Sequence, residues 1–243
     1  MGRKETFHRC TYKKRQLTKI SMPLTKRDYQ PPVDPNLHVL YSDESLLVVN
    51  KPSGLLSVPG RGADKQDCLL SRLLTEYNDA LIVHRLDMET SGLMVLARNK
   101  QVHRKLSQLF EHREVQKKYI AVVDGQVQNQ QGKIDLPLIC DWPNRPRQIV
   151  DHVQGKPSVT RYKVIQRDTR KNLTRIELEP ETGRSHQLRV HCQSLGHPIL
   201  GDRLYANTAQ QSKAPRLLLH AVSLMFTHPL TLESRSFSCE TPF

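Results

Sequence analysis

The sequence LIVHRLDMETSGLMVLA, residues 81–97, places a dense group of polar residues between two apolar segments. The segment that follows, residues 93–97, has the composition of a buried strand, and residues 81–83 form a short apolar stretch before it. The connection between them contains a histidine, an arginine, an aspartate, a threonine and a serine, and it ends at Gly92. Polar groups in so short a connection must be paired to avoid a desolvation cost, and connections on a rigid sheet often carry functional residues. The pattern therefore indicates either a functional loop or a hydrogen-bonded turn with an Arg85–Asp87 surface ion pair.

Strand patterns continue on both sides of this stretch. Some segments alternate apolar and polar residues, and others are short apolar runs bounded by turn-forming residues. The predicted strands cover residues 37–40, 46–49, 93–97, 119–123, 159–165, 175–179 and 217–226. The first two flank the polar residues 42–45 and predict a hairpin. Because the strands are mostly not separated by helices, the sequence predicts an α+β fold rather than a doubly wound α/β fold.

Three segments have helical spacing of their apolar residues. The first follows Asp67, a predicted N-cap, and extends to Tyr77. The second covers residues 100–112. The third begins after Ser185, a second predicted N-cap, and ends at Gly196, where glycine favours termination of the helix.

Composition excludes several classes of protein. The chain has 243 residues with 37 Lys+Arg against 24 Asp+Glu, a formal net charge of +13. Its residue mixture is not that of a collagenous or disordered chain, and it contains neither a membrane-spanning run of ~20 apolar residues nor a secretory signal peptide. The five cysteines form no C-x-x-C pair, which favours reduced thiols over disulfides or a zinc site. We therefore expect a basic, soluble, cytoplasmic protein.

The positive charge is concentrated near the start of the sequence. Residues 1–27 contain nine Lys/Arg and one acidic residue, and prolines follow at 31, 32 and 35. This composition predicts a flexible basic extension with a proline-rich linker over residues 1–36, followed by a folded domain over residues 37–243. Such an extension can attract phosphate backbones. The alternatives are a solvated tail without a role, residues upstream of a true start at Met22, or an organellar transit peptide.

The stretch HRLDMETSG, residues 84–92, resembles the H-R-L-D-x-x-T-S-G signature of the RluA family of pseudouridine synthases and matches all seven fixed positions. Three more stretches are similar to family motifs and occur in the same order. They are YSDESLLVVNKPSGLL at residues 41–56, KKYIAVVDG at residues 117–125 and ETGRSHQLRVHCQSLGHPILGD at residues 181–202. The resemblance extends from Leu37 to the end of the sequence.

The resemblance implies a mixed, mainly antiparallel sheet with a central catalytic cleft. The stretches GLLSVPGR at residues 54–61 and LPLICDWPNRP at residues 136–146 are most similar to the short family members that lack an S4 RNA-binding domain. The 36 residues before Leu37 are too few for such a domain. These short members isomerise uridines both in 23S rRNA and in the anticodon stem-loop of tRNA, so the resemblance implies the same substrates here.

The resemblance also assigns roles to five residues. Asp87 matches the catalytic aspartate, and Arg189 matches an arginine that pairs with it. Tyr119 matches a tyrosine that stacks on the target base. Arg85 matches an arginine that enters the RNA and helps to expel the target nucleotide. Leu188 is implied as a wall of the uracil pocket. The plainer alternatives are an exposed Arg189, core packing of Tyr119 and Leu188, and an ion pair between Arg85 and Asp87.

We expect no metal and no organic cofactor, because the isomerisation is redox-neutral and the spacing of His186 and His191 does not suit two metal ligands on one helix. The expected partner is structured RNA, with no membrane, no obligate protein partner and a monomeric state. Three alternatives stay open at this point. They are action on one RNA class only, a non-catalytic basic RNA-binding protein on this fold, and an RNA hydrolase that uses His84 and Asp87.

Overall fold

The computed structural model describes residues 29–34 and 37–243. Its main feature is a ten-stranded sheet, and a two-stranded sheet lies beside it. The strands are β1 His38–Ser42, β2 Leu46–Lys51, β3 Leu81–Ile82, β4 Ser91–Ala97, β5 Gln116–Asp124, β6 Gln131–Asp135, β7 Leu138–Cys140, β8 Gln148–Val150, β9 Val159–Asp168, β10 Leu173–Pro180, β11 Leu219–Thr227 and β12 Ser234–Ser238. The helices are α1 Leu69–Leu73, α2 Lys100–Glu111, α3 Gln187–Ser194 and α4 Thr208–Gln211.

The strand order of the main sheet is β1-β2-β4-β11-β5-β10-β9-β6, with β12 paired to β11 and β3 paired to β4. Its named strand pairs are antiparallel except the pair of β4 and β11, which is parallel. The predicted α+β fold with a mixed, mainly antiparallel sheet is confirmed. None of the helices in the described part of the chain is long and apolar enough to cross a bilayer.

Strands β2 and β4 are buried on both faces, which explains their continuous apolar sequences. On one face, Leu46 and Val95 pack with Val102 and Leu106 of α2. On the other face, the residues that alternate with these, such as Leu47 and Met94, pack against α1. Each fully buried leucine contributes about 1.5–3 kcal/mol relative to an exposed one. The central strands are therefore fixed between two helices, and the connection that leads into β4 has a rigid base.

Helix α3 covers the other half of the sheet. Its residues Leu188 and Cys192 pack in a cluster with Val123, Ile176 and Leu178 from β5 and β10. The N-terminal end of the same helix is next to the connection that precedes β4, because Arg189 and Asp87 approach each other. The packing of α3 thus brings a residue from the second half of the chain to the first half.

The predicted hairpin is present as β1 and β2, which pair antiparallel. Asp43 explains its turn, since Oδ1 accepts hydrogen bonds from the backbone N–H groups of Ser45 and Leu46, both at 2.7 Å. Side-chain acceptance of backbone donors is the reason aspartate favours turns.

Two details predicted for the first helix are wrong. Its N-cap is Cys68, whose Sγ accepts from the backbone N–H of Ser71, and not Asp67. Asp67 instead forms a paired contact with Arg72, with N···O distances of 2.7 and 2.8 Å. The helix also ends at Leu73, and Tyr77 lies in the turn that follows. The helical spacing of the apolar residues continues through that turn, so spacing alone overestimated the length.

The predicted cap of the third helix is also wrong. The N-cap is His186, with a left-handed backbone (φ 54°) and no capping hydrogen bond from its side chain, and the helix begins one residue later than Ser185 implied. Gln187 fixes the segment that leads into the helix, because its Oε1 accepts from the backbone N–H of Arg184 at 3.0 Å. The left-handed backbone at a non-glycine residue is uncommon, and at functional sites such strain is often retained.

Five strands were not predicted, namely β3, β6, β7, β8 and β12. Strands β3, β7 and β8 have two or three residues each, too few for a period to register. Strands β6 and β12 lie at sheet edges and are mostly polar, so they lack the apolar alternation of half-buried strands.

The described part of the predicted linker lies against the folded domain. The hydroxyl of Tyr29 donates to the carbonyl of Asp67 and accepts from the N–H of Leu56, both at 3.0 Å. Arg72 donates to the carbonyl of Pro32 at 2.8 Å. The rest of the predicted basic extension lies outside the described residues, and the boundary at residue 37 stays a prediction.

Gly92 is the point where β4 and β11 approach most closely. Its φ of 114° is unfavourable for residues with a side chain, and it pairs with Ala221. A Cβ at this position would overlap the backbone N, C and O atoms of Ala221. The parallel pairing of β4 with β11 therefore requires glycine at position 92.

We predict that Gly92→Ala lowers the free energy of unfolding by more than about 3 kcal/mol, because strain and overlap with backbone add. Gly183→Ala is the control, since Gly183 has nothing within 4 Å of a built Cβ and no positive φ. Urea denaturation of both variants at constant m-value measures the difference. Equal midpoints for the two variants would contradict the close approach.

Candidate active site

The connection between β3 and β4 presents Asp87 on a fixed turn. The backbone N–H of Thr90 donates to the Asp87 carbonyl at 3.1 Å, which closes the turn. Leu86 and Thr90 are buried on either side, while the Asp87 side chain is 25% exposed. A carboxylate that is anchored by buried neighbours and still reaches solvent can meet a substrate.

A buried lysine ties this turn to the end of β2. Lys51 is fully buried, and its Nζ donates to the carbonyls of Pro52, Leu55 and Met88 at 2.9, 2.7 and 3.0 Å. Burial lowers the pKa of Lys51 to about 7, against the opposing charges of Asp87 and Glu89. Because Met88 follows Asp87 directly, the ammonium group fixes the backbone beside the carboxylate.

Two serines of the segment after β2 make further bonds to the turn. Ser57 Oγ donates to the carbonyl of Leu86 at 2.8 Å, and Ser53 Oγ donates to the carbonyl of Glu89 at 2.7 Å. Their contacts bracket Asp87 on both sides in sequence. The turn is therefore held through its backbone, which leaves the Asp87 side chain free for other contacts.

Arg189 makes its strongest contact with Asp202, a residue that the sequence did not single out. Arg189 Nε and Nη2 donate to the two carboxylate oxygens of Asp202 at 2.8 and 2.7 Å. Both residues are buried, Asp202 completely. Burial alone would lower the pKa of Arg189, but the hydrogen bonds and charge of Asp202 outweigh it and the pKa rises. The arginine stays charged in a buried position.

The same arginine reaches Asp87 at a longer distance. Arg189 Nη1 lies 3.6 Å from Asp87 Oδ2, which is an ion pair but not a hydrogen bond of normal length. The structure therefore brings the two predicted residues together. Arg189 is oriented by Asp202 on one side and presents its charge to Asp87 on the other.

His186 is a second neighbour of Asp87. Its Nε2 lies 3.9 Å from Asp87 Oδ1, and its Nδ1 lies 2.8 Å from the hydroxyl of Tyr205. The Tyr205 oxygen also accepts from the backbone N–H of Gln148 at 2.8 Å, so its hydrogen is available to Nδ1. This network favours the tautomer with hydrogen on Nε2, facing the carboxylate. Burial lowers the pKa of His186, while the charge of Asp87 opposes that change.

Tyr119 lies on β5 close enough to Asp87 to be influenced by its charge. Burial raises the pKa of Tyr119, and the negative charge of Asp87 raises it further. The phenol therefore stays protonated, with its ring packed against the two clusters that meet below the site. The alternative of core packing describes part of its position, and the predicted stacking of Tyr119 on the target base stays a prediction.

The remaining two predicted residues differ in exposure. Arg85 is exposed, and within the described residues it makes neither a hydrogen bond nor an ion pair, so the proposed Arg85–Asp87 pair does not form. Leu188 is 7% exposed and packs in the cluster that Tyr119 also contacts. Core packing accounts for Leu188, and its role as a pocket wall stays a prediction.

The start of β4 is joined to β11 by a buried hydrogen-bonded chain. Arg216 Nη2 donates to Ser91 Oγ, which lies 2.7 Å from Nδ1 of His220, and Nε2 of that histidine lies 3.1 Å from Cys239 Sγ. Cys239 in turn contacts the Ala221 carbonyl at 3.4 Å. With Ser91 accepting from Arg216, its hydroxyl donates to His220, and every member of the chain has a partner.

The contacts identify three site residues that sequence reasoning missed, namely Lys51, His186 and Asp202. No role is predicted for Lys51, which lies in the motif-like stretch at residues 41–56, and His186 is considered only as a metal ligand. The position of Asp202 after the apolar Ile199 and Leu200 does not by itself show that its carboxylate is buried. Across residues 29–34 and 37–243, no group of three or more His, Cys, Asp or Glu could hold a metal ion.

We predict that Asp202→Asn lowers the free energy of unfolding by about 3–5 kcal/mol, because it leaves the buried charge of Arg189 without its main partner. The double variant Arg189→Met with Asp202→Asn should recover at least half of that loss, since no unpaired charge stays buried. Chemical denaturation of the unmodified protein, the two single variants and the double variant gives a double-mutant cycle. Additive losses in the double variant would show that the pair does not act as a unit.

We also predict that stability falls as pH decreases from 6.5 to about 4. Burial lowers the pKa of His84 to about 3 and of His220 to about 4. The unfolded chain takes up protons near pH 6.5 whereas these folded imidazoles do not, so each contributes a slope of about 1.4 kcal/mol per pH unit. Denaturation across this pH range measures the slope. His220→Gln should reduce it, and an unchanged slope would contradict a buried neutral His220.

Comparisons with known proteins identify the family of this chain. The family model for RNA pseudouridylate synthases matches residues 45–194. A dual-specificity RNA pseudouridine synthase, RluA, from Escherichia coli is 50% identical over 216 residues, covering 89% of this chain and 98% of that protein. The protein of the same name from Haemophilus influenzae is 48% identical with the same coverage.

Solved structures show the same fold. Human RNA Pseudouridylate Synthase Domain Containing 1 superimposes with a TM-score of 0.74 at 30% identity, covering 88% of this chain and 87% of that chain. Human RNA Pseudouridylate Synthase Domain Containing 4 superimposes with a TM-score of 0.67 at 29% identity, covering 84% and 88%. On the matched family model and the half-identical relatives, this chain belongs to the RluA family of RNA pseudouridine synthases.

Proposed function

We propose that this protein isomerises specific uridines to pseudouridine in 23S rRNA and in the anticodon stem-loop of tRNA. The observation that carries the proposal is the half-buried Asp87 carboxylate, which lies 3.6 Å from Arg189 and 3.9 Å from His186 on a turn fixed by buried bonds. The choice of both RNA classes is supported by the dual-specificity relatives, which are about half identical over almost their full length.

The isomerisation requires one carboxylate beside the ribose of the target nucleotide. The bond between the anomeric carbon and N1 of uracil breaks, the base turns, and a bond to C5 forms. The C5 hydrogen leaves as a proton and N1 takes up a proton, so that the product is an isomer of the substrate. Asp87 can either attack the anomeric carbon or remove a proton from the neighbouring ribose carbon. Both routes require an ionised Asp87, and the reaction consumes no oxidant or group donor.

Arg189 has two tasks in this proposal. Its positive charge lies 3.6 Å from Asp87 Oδ2 and attracts the carboxylate towards the second half of the chain. Its planar guanidinium is already committed to Asp202, so it cannot rotate to form a close bidentate pair with Asp87. The Asp87 carboxylate is therefore not held in a tight ion pair with Arg189 and can meet the substrate.

We propose that Tyr119 contacts the target base and that Arg85 helps to flip its nucleotide out of the RNA. The Tyr119 ring supplies an aromatic face near Asp87, and its phenol, kept protonated by burial, can donate a hydrogen bond to the displaced uracil. Arg85 is exposed and without a partner among the described residues, so its guanidinium is available to stack where a nucleotide has been flipped out. Action as a monomer in the cytoplasm, without a protein partner, completes the proposal.

We predict that Asp87→Asn abolishes pseudouridine formation while its RNA affinity stays unchanged or increases. The change preserves shape, removes the base or nucleophile and lessens repulsion from phosphates. Release of tritium from RNA labelled at C5 of uridine measures turnover, and filter binding measures affinity. Asp135→Asn is the matched control, because Asp135 is an exposed carboxylate on the edge strand β6.

The assay should use a 23S rRNA fragment and an anticodon stem-loop in parallel. Tritium release from both with the unmodified protein supports dual specificity, and release from one restricts the function to that RNA class. Turnover by Asp87→Asn, with deamidation excluded by mass spectrometry, would remove Asp87 from the catalytic role. RNA binding without turnover by the unmodified protein would favour a non-catalytic RNA-binding protein.

A further inference from the structure

The loop between β7 and β8 exposes a large aromatic side chain. Trp142 is 65% exposed, and it is the sole tryptophan of the sequence. An indole in water leaves a large apolar area unburied, and an exposed aromatic residue beside a functional site commonly makes contact with a ligand. Its role is not explained by the packing of the domain.

Backbone hydrogen bonds make this loop rigid. The N–H of Asp141 donates to the carbonyl of Arg147 at 2.9 Å, and the N–H of Asn144 donates back to the carbonyl of Asp141 at 3.0 Å. The Asn144 side chain also donates to the Asp141 carboxylate at 2.9 Å. The exposed ring is therefore held in place before any ligand binds, which reduces the entropy cost of binding.

The loop that carries Trp142 also carries two arginines. The guanidinium carbon of Arg145 lies 4.6 Å from the Trp142 ring centroid, a cation–π contact. The guanidinium carbon of Arg147, five residues after Trp142, lies 5.5 Å from the ring centroid of Tyr205. The Nε of Arg147 is buried without a partner in the part of the chain that the structure describes. An exposed aromatic ring next to one arginine, on a loop that carries a second arginine, suits a base with its flanking phosphates better than it suits an apolar protein surface.

The loop is also connected to the candidate active site. Gln148, the first residue of β8, donates its N–H to the Tyr205 hydroxyl at 2.8 Å. That hydroxyl contacts His186, which faces Asp87. Three consecutive contacts thus lead from the base of the loop to the carboxylate. A nucleotide bound by the loop would belong to the same RNA segment as the target uridine.

We propose that Trp142 is a stacking platform for an unpaired base of the substrate RNA, and that Arg145 and Arg147 contact the phosphates on either side of that base. This inference rests on the proposed function, because it concerns how the same site recognises its RNA. Stacking on an aromatic face accepts any base. It therefore selects for an unpaired nucleotide at the right distance from the target uridine rather than for a sequence, which suits a site that accepts two different RNAs.

The fluorescence of Trp142 provides a direct test, because no other tryptophan contributes to the emission. The Asp87→Asn variant, which binds without turnover, is titrated with an anticodon stem-loop and with a fully paired duplex of the same length. We expect saturable quenching by the stem-loop, with the same midpoint as the binding curve from fluorescence anisotropy of labelled RNA, and little quenching by the duplex. Binding of the stem-loop with unchanged tryptophan emission would overturn the proposal.

Substitutions provide the second test. Trp142→Ala should raise KM for the stem-loop by roughly 5- to 150-fold, the change that corresponds to about 1–3 kcal/mol of lost stacking, with kcat nearly unchanged. Trp142→Phe should retain most of the affinity. The salt dependence of binding should be the same in Trp142→Ala and the unmodified protein, since stacking neutralises no phosphate.

Val153→Ala is the matched control, because Val153 is an exposed apolar residue (91% exposed) in the turn that follows β8. An equal effect of Val153→Ala and Trp142→Ala, or a loss in kcat at constant KM, would overturn the stacking role. The proposed function and the stacking role of Trp142 can fail independently. If neither RNA is turned over by the unmodified protein, the proposed function fails. If turnover is normal but emission and KM do not respond, only the platform fails.

Discussion

The carboxylate of Asp202 is the interaction on which the rest of the site depends. It is fully buried and accepts hydrogen bonds from Arg189 and from the backbone N–H groups of Leu204 and Tyr205. Through these bonds it fixes a charged guanidinium inside the protein and sets the position of the tyrosine that orients His186. A buried ion pair contributes little net stability, but it requires every partner to stay in place. The geometry around Asp87 follows from that requirement.

The site therefore has two supports of different kinds. From the first half of the chain, Lys51 and two serines bind the backbone of the turn that carries Asp87. From the second half, Arg189 and His186 approach its side chain at 3.6 and 3.9 Å. Backbone contacts determine where the carboxylate lies, and side-chain contacts determine the electrostatic field around it. Because the two sets of residues do not overlap, position and charge can be altered separately.

Much of the fold could be predicted from periodicity. Long buried strands such as β4 and β10 have clear patterns, while β7 and β8 are too short to show one and β12 is mostly polar. For the site, the signature around Asp87 identified the turn itself. The partners of that turn could not be found in this way, because Lys51 and Asp202 act through burial, which is decided by tertiary packing. The sequence alone does not distinguish a buried charged residue from an exposed one.

The parallel pair of β4 and β11 has a consequence for how the chain reaches its native state. Ser91 and His220 are separated by 129 positions, so their bond closes a very large loop. Contacts of such sequence separation slow folding, because the entropy of loop closure is lost before the contacts form. During synthesis on the ribosome, the turn that carries Asp87 emerges long before β11. The amino-terminal half therefore stays incomplete, with Ser91 and Gly92 of β4 unpaired on one edge, until β11 has been translated and can dock.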